Sequence, residues 1–335
     1  HTLYTTSENF ANTAAQIFLY PKFMDIHIMV YIGMALLMAF YARFRLTALF
    51  QSFWVAALSV QYYFLWKALW TGAWGTYGRF YIATGDLIQA EFCAISMLIA
   101  IGAIIGRATN LQLLLVVVLG VFFYTLNETI VFQSVKMLDN GGSMYIFAYG
   151  GFYGLGLNAL FSRFDKFAER WIFARKNSAA FALFGCIFIW AYFPSFNVDI
   201  FQTSGILLDN AAILNTYFGL IGSLLATVFT STIIYKGKVS LYHILFSSIS
   251  GGVLMGAGAR ILLEPFVAYI VGSLNGILVC VVYELFDRHV AKTAMHETLS
   301  VLVFAISGFN GGWLSAIYRG HWLLDGGLQI AGLFI

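Results

Sequence analysis

Residues 139–156 read DNGGSMYIFAYGGFYGLG. An aspartate and a glycine pair lead into a run that stays apolar to Phe161. Asp, Asn and Gly favour a turn, and about 20 mostly apolar residues are long enough to cross a bilayer as a helix. The stretch predicts a spanning helix over 143–161. Its glycines form a small face of the kind that lets membrane helices pack closely. Phe147 sits near its start, and what that ring lines is the question the segment sets.

The same pattern recurs on both sides. Of the 335 residues, 61% are hydrophobic, 18% aromatic and only 10% charged. Mean hydropathy is +0.83. Soluble domains carry about a quarter charged residues, so this composition describes a polytopic membrane protein. Further spans are expected near 24–42, 48–66, 84–105, 111–132, 178–193, 209–234, 240–258, 262–283 and 298–317, and an eleventh begins near Gly326. The fold class is all-α and integral to the membrane, with about 11 transmembrane helices.

The basic residues fall unevenly. With the N-terminus outside, twelve of the 18 Lys and Arg lie on the inner side, among them Arg43, Arg107, Lys166 and Arg288, and six lie outside or near it. That bias sets the orientation by the positive-inside rule. The basic loop SRFDKFAERWIFARKN follows the fifth span and divides the chain into two groups of five. An odd number in each group starts the second on the opposite side, which is an inverted repeat. The expected organisation is an external N-terminal segment 1–23, a first half 24–161, an inner loop 162–177 and a second half 178–318. An external loop and the start of a last helix fill 319–335. His1 and Ile335 both look like processed or incomplete ends, with a signal peptide or a further helix ahead of His1.

Several polar groups stand where lipid is expected. Asp25, His27, Glu91, Glu128 and Asp139 are expensive in a span unless they face protein or water. They imply a polar interior or a subunit seam. Asn127-Glu128-Thr129 matches a glycosylation sequon but sits within a span, so it is discounted. His289 and His296 are seven apart and read as a solvated pair rather than a metal site. Cys93, Cys186 and Cys280 lie in apolar runs and read as small buried hydrophobes. Soluble-enzyme motifs are missing: no phosphate-binding glycine loop, no HExxH, no cysteine knuckle. No enzyme activity, cofactor, metal or nucleic-acid partner is expected.

The first half carries FMDIHIMVYIGMALLMAF, IQAEFCAISMLIAIGAIIG, LNETI and DNGGSMYIFAYGGFYGL. FIWAYFPSFN, LNTYFGL, YKGKVSLYHI, SGGVLMGAGA, SGFNGGWLSA and GLQIAGLFI follow in the second. In these motifs and their order the chain resembles the Rhesus (Rh) branch of the ammonium transporter superfamily. The resemblance implies a homotrimer or Rh-like heteromer in a lipid bilayer, more in keeping with the plasma membrane than with an organelle. It implies one narrow pore per subunit, with ammonia or ammonium as solute and carbon dioxide as a second candidate. Rh proteins also carry a helix ahead of the first core helix.

The resemblance further assigns residues. The family's external phenylalanine gate falls on Phe92 and Phe196. Its pore aspartate falls on Asp139, and the pore histidine eight residues on falls on Phe147. In the second half the pore histidine falls on Phe304, and His296 stands where the family has aspartate. The chain thus keeps the gate and one aspartate and lacks both histidines. An imidazole nitrogen can accept a hydrogen bond or relay a proton, and a phenyl ring can do neither. An isolated ion in hydrocarbon costs tens of kcal/mol, whereas cation–π attraction offers roughly 0.5–2 kcal/mol. Two readings follow: an Rh-type channel with weak or altered transport, or a non-conducting structural subunit.

Overall fold

The computed structural model describes residues 4–5, 10–40, 45–72, 80–161, 176–198, 206–262, 264–290 and 298–319. Ten helical passes run through them. In the first half these are α1 (Phe10–Ile28), α2 (Arg45–Trp70), α3 (Thr84–Gly102), α4 (Asn110–Thr129) and α5 (Tyr149–Phe161). In the second they are α6 (Lys176–Phe196), α7 (Ile206–Ile234), α8 (Ser250–Gly258), α9 (Pro265–Val290) and α10 (Thr298–Arg319). Four widened π-helical turns extend them: Met29–Met34 after α1, Ile130–Ser134 after α4, Ser143–Ala148 before α5 and His243–Ser247 before α8. A two-residue parallel bridge, Tyr4–Thr5 with Phe80–Tyr81, is the one strand pairing among the described residues.

Seven of these helical segments are long and apolar enough to cross a membrane. The chain is an integral, multi-pass membrane protein. On α4 the residues four apart, Leu111, Leu115, Leu119 and Phe123, are all at least half exposed. They make one apolar stripe facing out of the subunit, the natural arrangement when the solvent is hydrocarbon. The opposite face buries Leu113, Val117, Gly120 and Tyr124.

The two groups of five pack by the same scheme. α2 packs on α3 and α4, and α7 packs on α8 and α9. α3 meets α5, and α8 meets α10. Across the groups α6 lies along α1 and its extension, while α10 lies along α5 and the turn before it. The α5–α10 crossing is close. A Cβ on Gly151 would fall 2.5 Å from Ala305 N, and one on Gly308 would fall 2.3 Å from Ser143 O. No side chain fits at either place, so the glycines set the distance between the two backbones.

Helix ends depart from the sequence reading in an informative way. α1 begins at Phe10, inside the segment expected to precede the first span. α6 runs through Pro194 to Phe196, where a stop was expected at 193. A proline near a helix C-terminus costs one backbone bond, and the ladder resumes beyond it, where Asn197 N–H donates to Phe193 O at 3.2 Å. The inner loop 162–175, the last stretch 320–335 with its eleventh span, and His296 lie outside the described residues.

Candidate functional site: a buried column of rings

Phe147 lies in the π-helical turn that starts α5, and Phe304 lies on α10 beside Ala305. The close α5–α10 crossing brings their rings together. The centroids are 6.0 Å apart and the planes differ by 14°. That spacing lies within the roughly 4.5–7 Å range of stacked aromatic pairs.

Phe92 on α3 and Phe196 at the end of α6 form a second pair, with centroids 4.7 Å apart and planes at 60°. The two pairs join, since Phe147 and Phe196 meet edge to face at 5.7 Å. Phe92, Phe196, Phe147 and Phe304 therefore form one continuous column. All four are at most 1% exposed. The four rings singled out by sequence are thus brought together, each on a different helix.

A fifth ring completes the column. Phe193, one turn before Phe196 on α6, stacks on Phe147 at 5.7 Å and 24° and meets Phe196 at 5.7 Å. It is fully buried. Sequence reasoning missed it, although the i, i+3 spacing of FPSF places both phenylalanines on one helix face. The expected stop at Pro194 hid that relation.

Polar contacts fix the column without entering it. Asn197 donates from Nδ2 to Thr216 Oγ1 at 3.0 Å and to Gly252 O at 3.1 Å, tying the end of α6 to α7 and α8. Asp139 is fully buried. Its Oδ1 accepts from Ser143 N at 2.8 Å, and its Oδ2 from Met144 N at 2.7 Å and Tyr145 N at 3.3 Å. The aspartate, three residues ahead of the N-cap residue Gly142, caps the first N–H groups of the turn, where the helix dipole favours negative charge. Gly142 supplies the left-handed turn between them, with φ 67°. Ser143 Oγ continues inward, donating to Val253 O at 2.6 Å and accepting from Ala257 N at 2.7 Å. Asp139 thus stands eight residues before Phe147 and orients the helix that carries it.

The other intramembrane acids also meet neighbouring helices of the same chain. Asp25 Oδ2 accepts from Ser195 Oγ at 2.7 Å, next to Phe196. Glu91, beside Phe92, pairs through Oε1 with His27 Nδ1 at 2.8 Å. Glu128 pairs with Lys67 Nζ at 2.8 Å. His27 itself sits in a ring ladder, 5.3 Å from Phe23 and 4.5 Å from Tyr31. Asn127 lies inside α4, and all three cysteines are buried and unpaired.

The sequence profile of the Ammonium Transporter Family matches residues 2–324. The chain belongs to the ammonium transporter family. Within that family its similarity is to the Rh branch. It is 33% identical over 304 residues to the ammonium transporter Rh type C of Oncorhynchus mykiss, covering 90% of this chain and 61% of that protein. It is 34% identical over 265 residues to the ammonium transporter Rh type B of Danio rerio, covering 77% of this chain and 56% of the relative. The chain spans about three-fifths of the length of the curated relatives it matches. Among solved structures, Rh50 of Nitrosomonas europaea superposes with a TM-score of 0.77 at 25% identity, over 96% of this chain and 88% of that one. Mep2 of Saccharomyces cerevisiae shares the fold, with a TM-score of 0.76 at 16% identity, over 96% of this chain and 81% of that one.

Proposed function

We propose that the chain is an Rh-type conduit for ammonia or ammonium in which the translocation path follows the ring column. The relatives it matches carry the name ammonium transporter. Phe92 and Phe196 act as the gate of that path. Phe147 and Phe304 occupy the positions of the twin histidines, Asp139 holds the pore helix, and His296 stands at the matching place in the second half. The repeated packing of the two groups of five supports the inverted-half organisation. The assembly is a homotrimer or an Rh-like heteromer in the plasma membrane.

The observation that carries the mechanism is the parallel contact of Phe147 with Phe304 at 6.0 Å. A cation meets no fixed partner along such rings, and neutral ammonia loses about 1–3 kcal/mol of hydrogen bonding at each substituted position. Conduction therefore waits on ring rotation and is slow, with apolar carbon dioxide penalised less. Purified protein in liposomes tests this by stopped-flow pH traces. Faster ammonia or carbon dioxide entry than in protein-free vesicles supports it, and identical traces refute it.

A second reading is favoured by the burial of all five rings to 1% exposure or less. In it the column is a closed core, and the chain serves as a structural subunit of a membrane complex. Identical stopped-flow traces together with stable co-purification of an Rh-like partner would select that reading.

A further inference from the structure

We propose that Glu128, Tyr63 and Gln89 form a binding site for a primary ammonium group, and that Lys67 of the same chain fills it. Lys67 Nζ lies 2.8 Å from Glu128 Oε2. It also lies 5.6 Å from the centre of the Tyr63 ring. The Tyr63 hydroxyl reaches Glu128 Oε1 at 3.1 Å and Oε2 at 3.0 Å, and Gln89 Oε1 at 3.1 Å.

At the Tyr63 hydroxyl the cluster is rich in acceptors. Tyr63 has one O–H to share among the two carboxylate oxygens and the Gln89 amide oxygen. What balances it is a cation with several N–H groups, and an alkylammonium carries three. A carboxylate set beside an aromatic face is the chemistry that recognises such a cation. The Glu128 side chain is 2% exposed and that of Lys67 is 18% exposed. A carboxylate so buried is costly unless paired, so the site holds its cation firmly. The nearby Asp86, whose Oδ2 accepts from Ala83 N at 2.9 Å, adds to the negative field felt by Lys67. Trp70 Nε1 donates to Thr125 Oγ1 at 3.2 Å and fixes α2 to α4 beside the site.

A tethered occupant has a high effective concentration. The intact protein is then indifferent to free amines, and removal of the Lys67 side chain opens the site to them. The proposal holds whether or not the ring column conducts.

Chemical rescue tests it on the full chain in detergent. The thermal midpoints of the parent, Lys67→Ala and Lys67→Ala/Glu128→Gln proteins are titrated with methylammonium, tetramethylammonium and sodium chlorides. The expected result is a lower midpoint for Lys67→Ala that rises saturably with methylammonium alone. The parent and the double variant do not respond. Tetramethylammonium has charge but no N–H and leaves the midpoint low. Lys67→Met, which keeps most of the apolar stem, is measured in parallel and shows the same salt selectivity if Lys67→Ala does not fold. Equal responses to the three salts overturn the proposal. So does no response in either single variant, or failure of both to fold with methylammonium present.

Discussion

Phe193 stacks on Phe147 with centroids 5.7 Å apart and planes at 24°, from a helix that also delivers Phe196. Phe147 therefore stacks on both Phe193 and Phe304. Phe193→Ala removes one support. It is expected to cost about 3–5 kcal/mol of stability, as for other buried phenylalanines, while loosening the column. A lower melting midpoint with faster ammonia entry per folded subunit is the predicted pair of outcomes.

Asp139 binds three backbone N–H groups and orients the Phe147 helix. Asp139→Ala leaves these donors buried without a partner. Capping of helix N–H groups contributes about 0.5–2 kcal/mol, and charge-assisted bonds about 1.5–3 kcal/mol. The expected loss is about 2 kcal/mol or more, read as a lower midpoint in detergent. Asp139→Asn, which keeps an acceptor, is expected to lose less than Asp139→Ala.

Gly308 and Gly151 set the α5–α10 distance, and a Cβ at either collides with backbone of the other helix. Gly308→Val is expected to cost at least the roughly 1–3 kcal/mol of an overpacked core. It also pulls Phe304 from Phe147. Fluorescence-detected size exclusion should show an aggregated or dissociated species, whereas a similar change at Gly156, where a Cβ meets nothing within 4 Å, should not.

Asn197 joins the end of α6 to Thr216 and Gly252. Asn197→Ala leaves their acceptor oxygens buried, at about 1–3 kcal/mol, and frees the turn that carries Phe196. The Phe92–Phe196 contact is expected to loosen, so that, if the proposed path runs past it, passive solute leak rises as the melting midpoint falls.

The spans were legible because an apolar run of membrane length has few other uses. The helical run Ser143–Phe161, a π-helical turn followed by α5, has the bounds expected for that segment. The π-helical turns were not legible, since a widened turn leaves no mark in apolar periodicity. Phe92, Phe196, Phe147 and Phe304 were found through family resemblance, because a phenylalanine in so aromatic a chain has no distinguishing pattern. Phe193 was missed for a local reason: Pro194 reads as a stop, yet here it costs only one backbone bond. Lys67 and Glu128 were each visible as polar groups near or in a span. Their pairing across 61 residues of sequence was not, because only the packing of α2 on α4 creates it.

The central claim is that two phenyl rings occupy the places where the path would otherwise offer nitrogen partners. Stopped-flow ammonia entry into liposomes, comparing the parent with Phe147→His/Phe304→His at equal folded protein, tests it most directly. Restoring about 1–3 kcal/mol at each position predicts a gain of roughly tenfold or more for the double variant. Equal rates for the two proteins, with the histidine variant folded and stable, would contradict it.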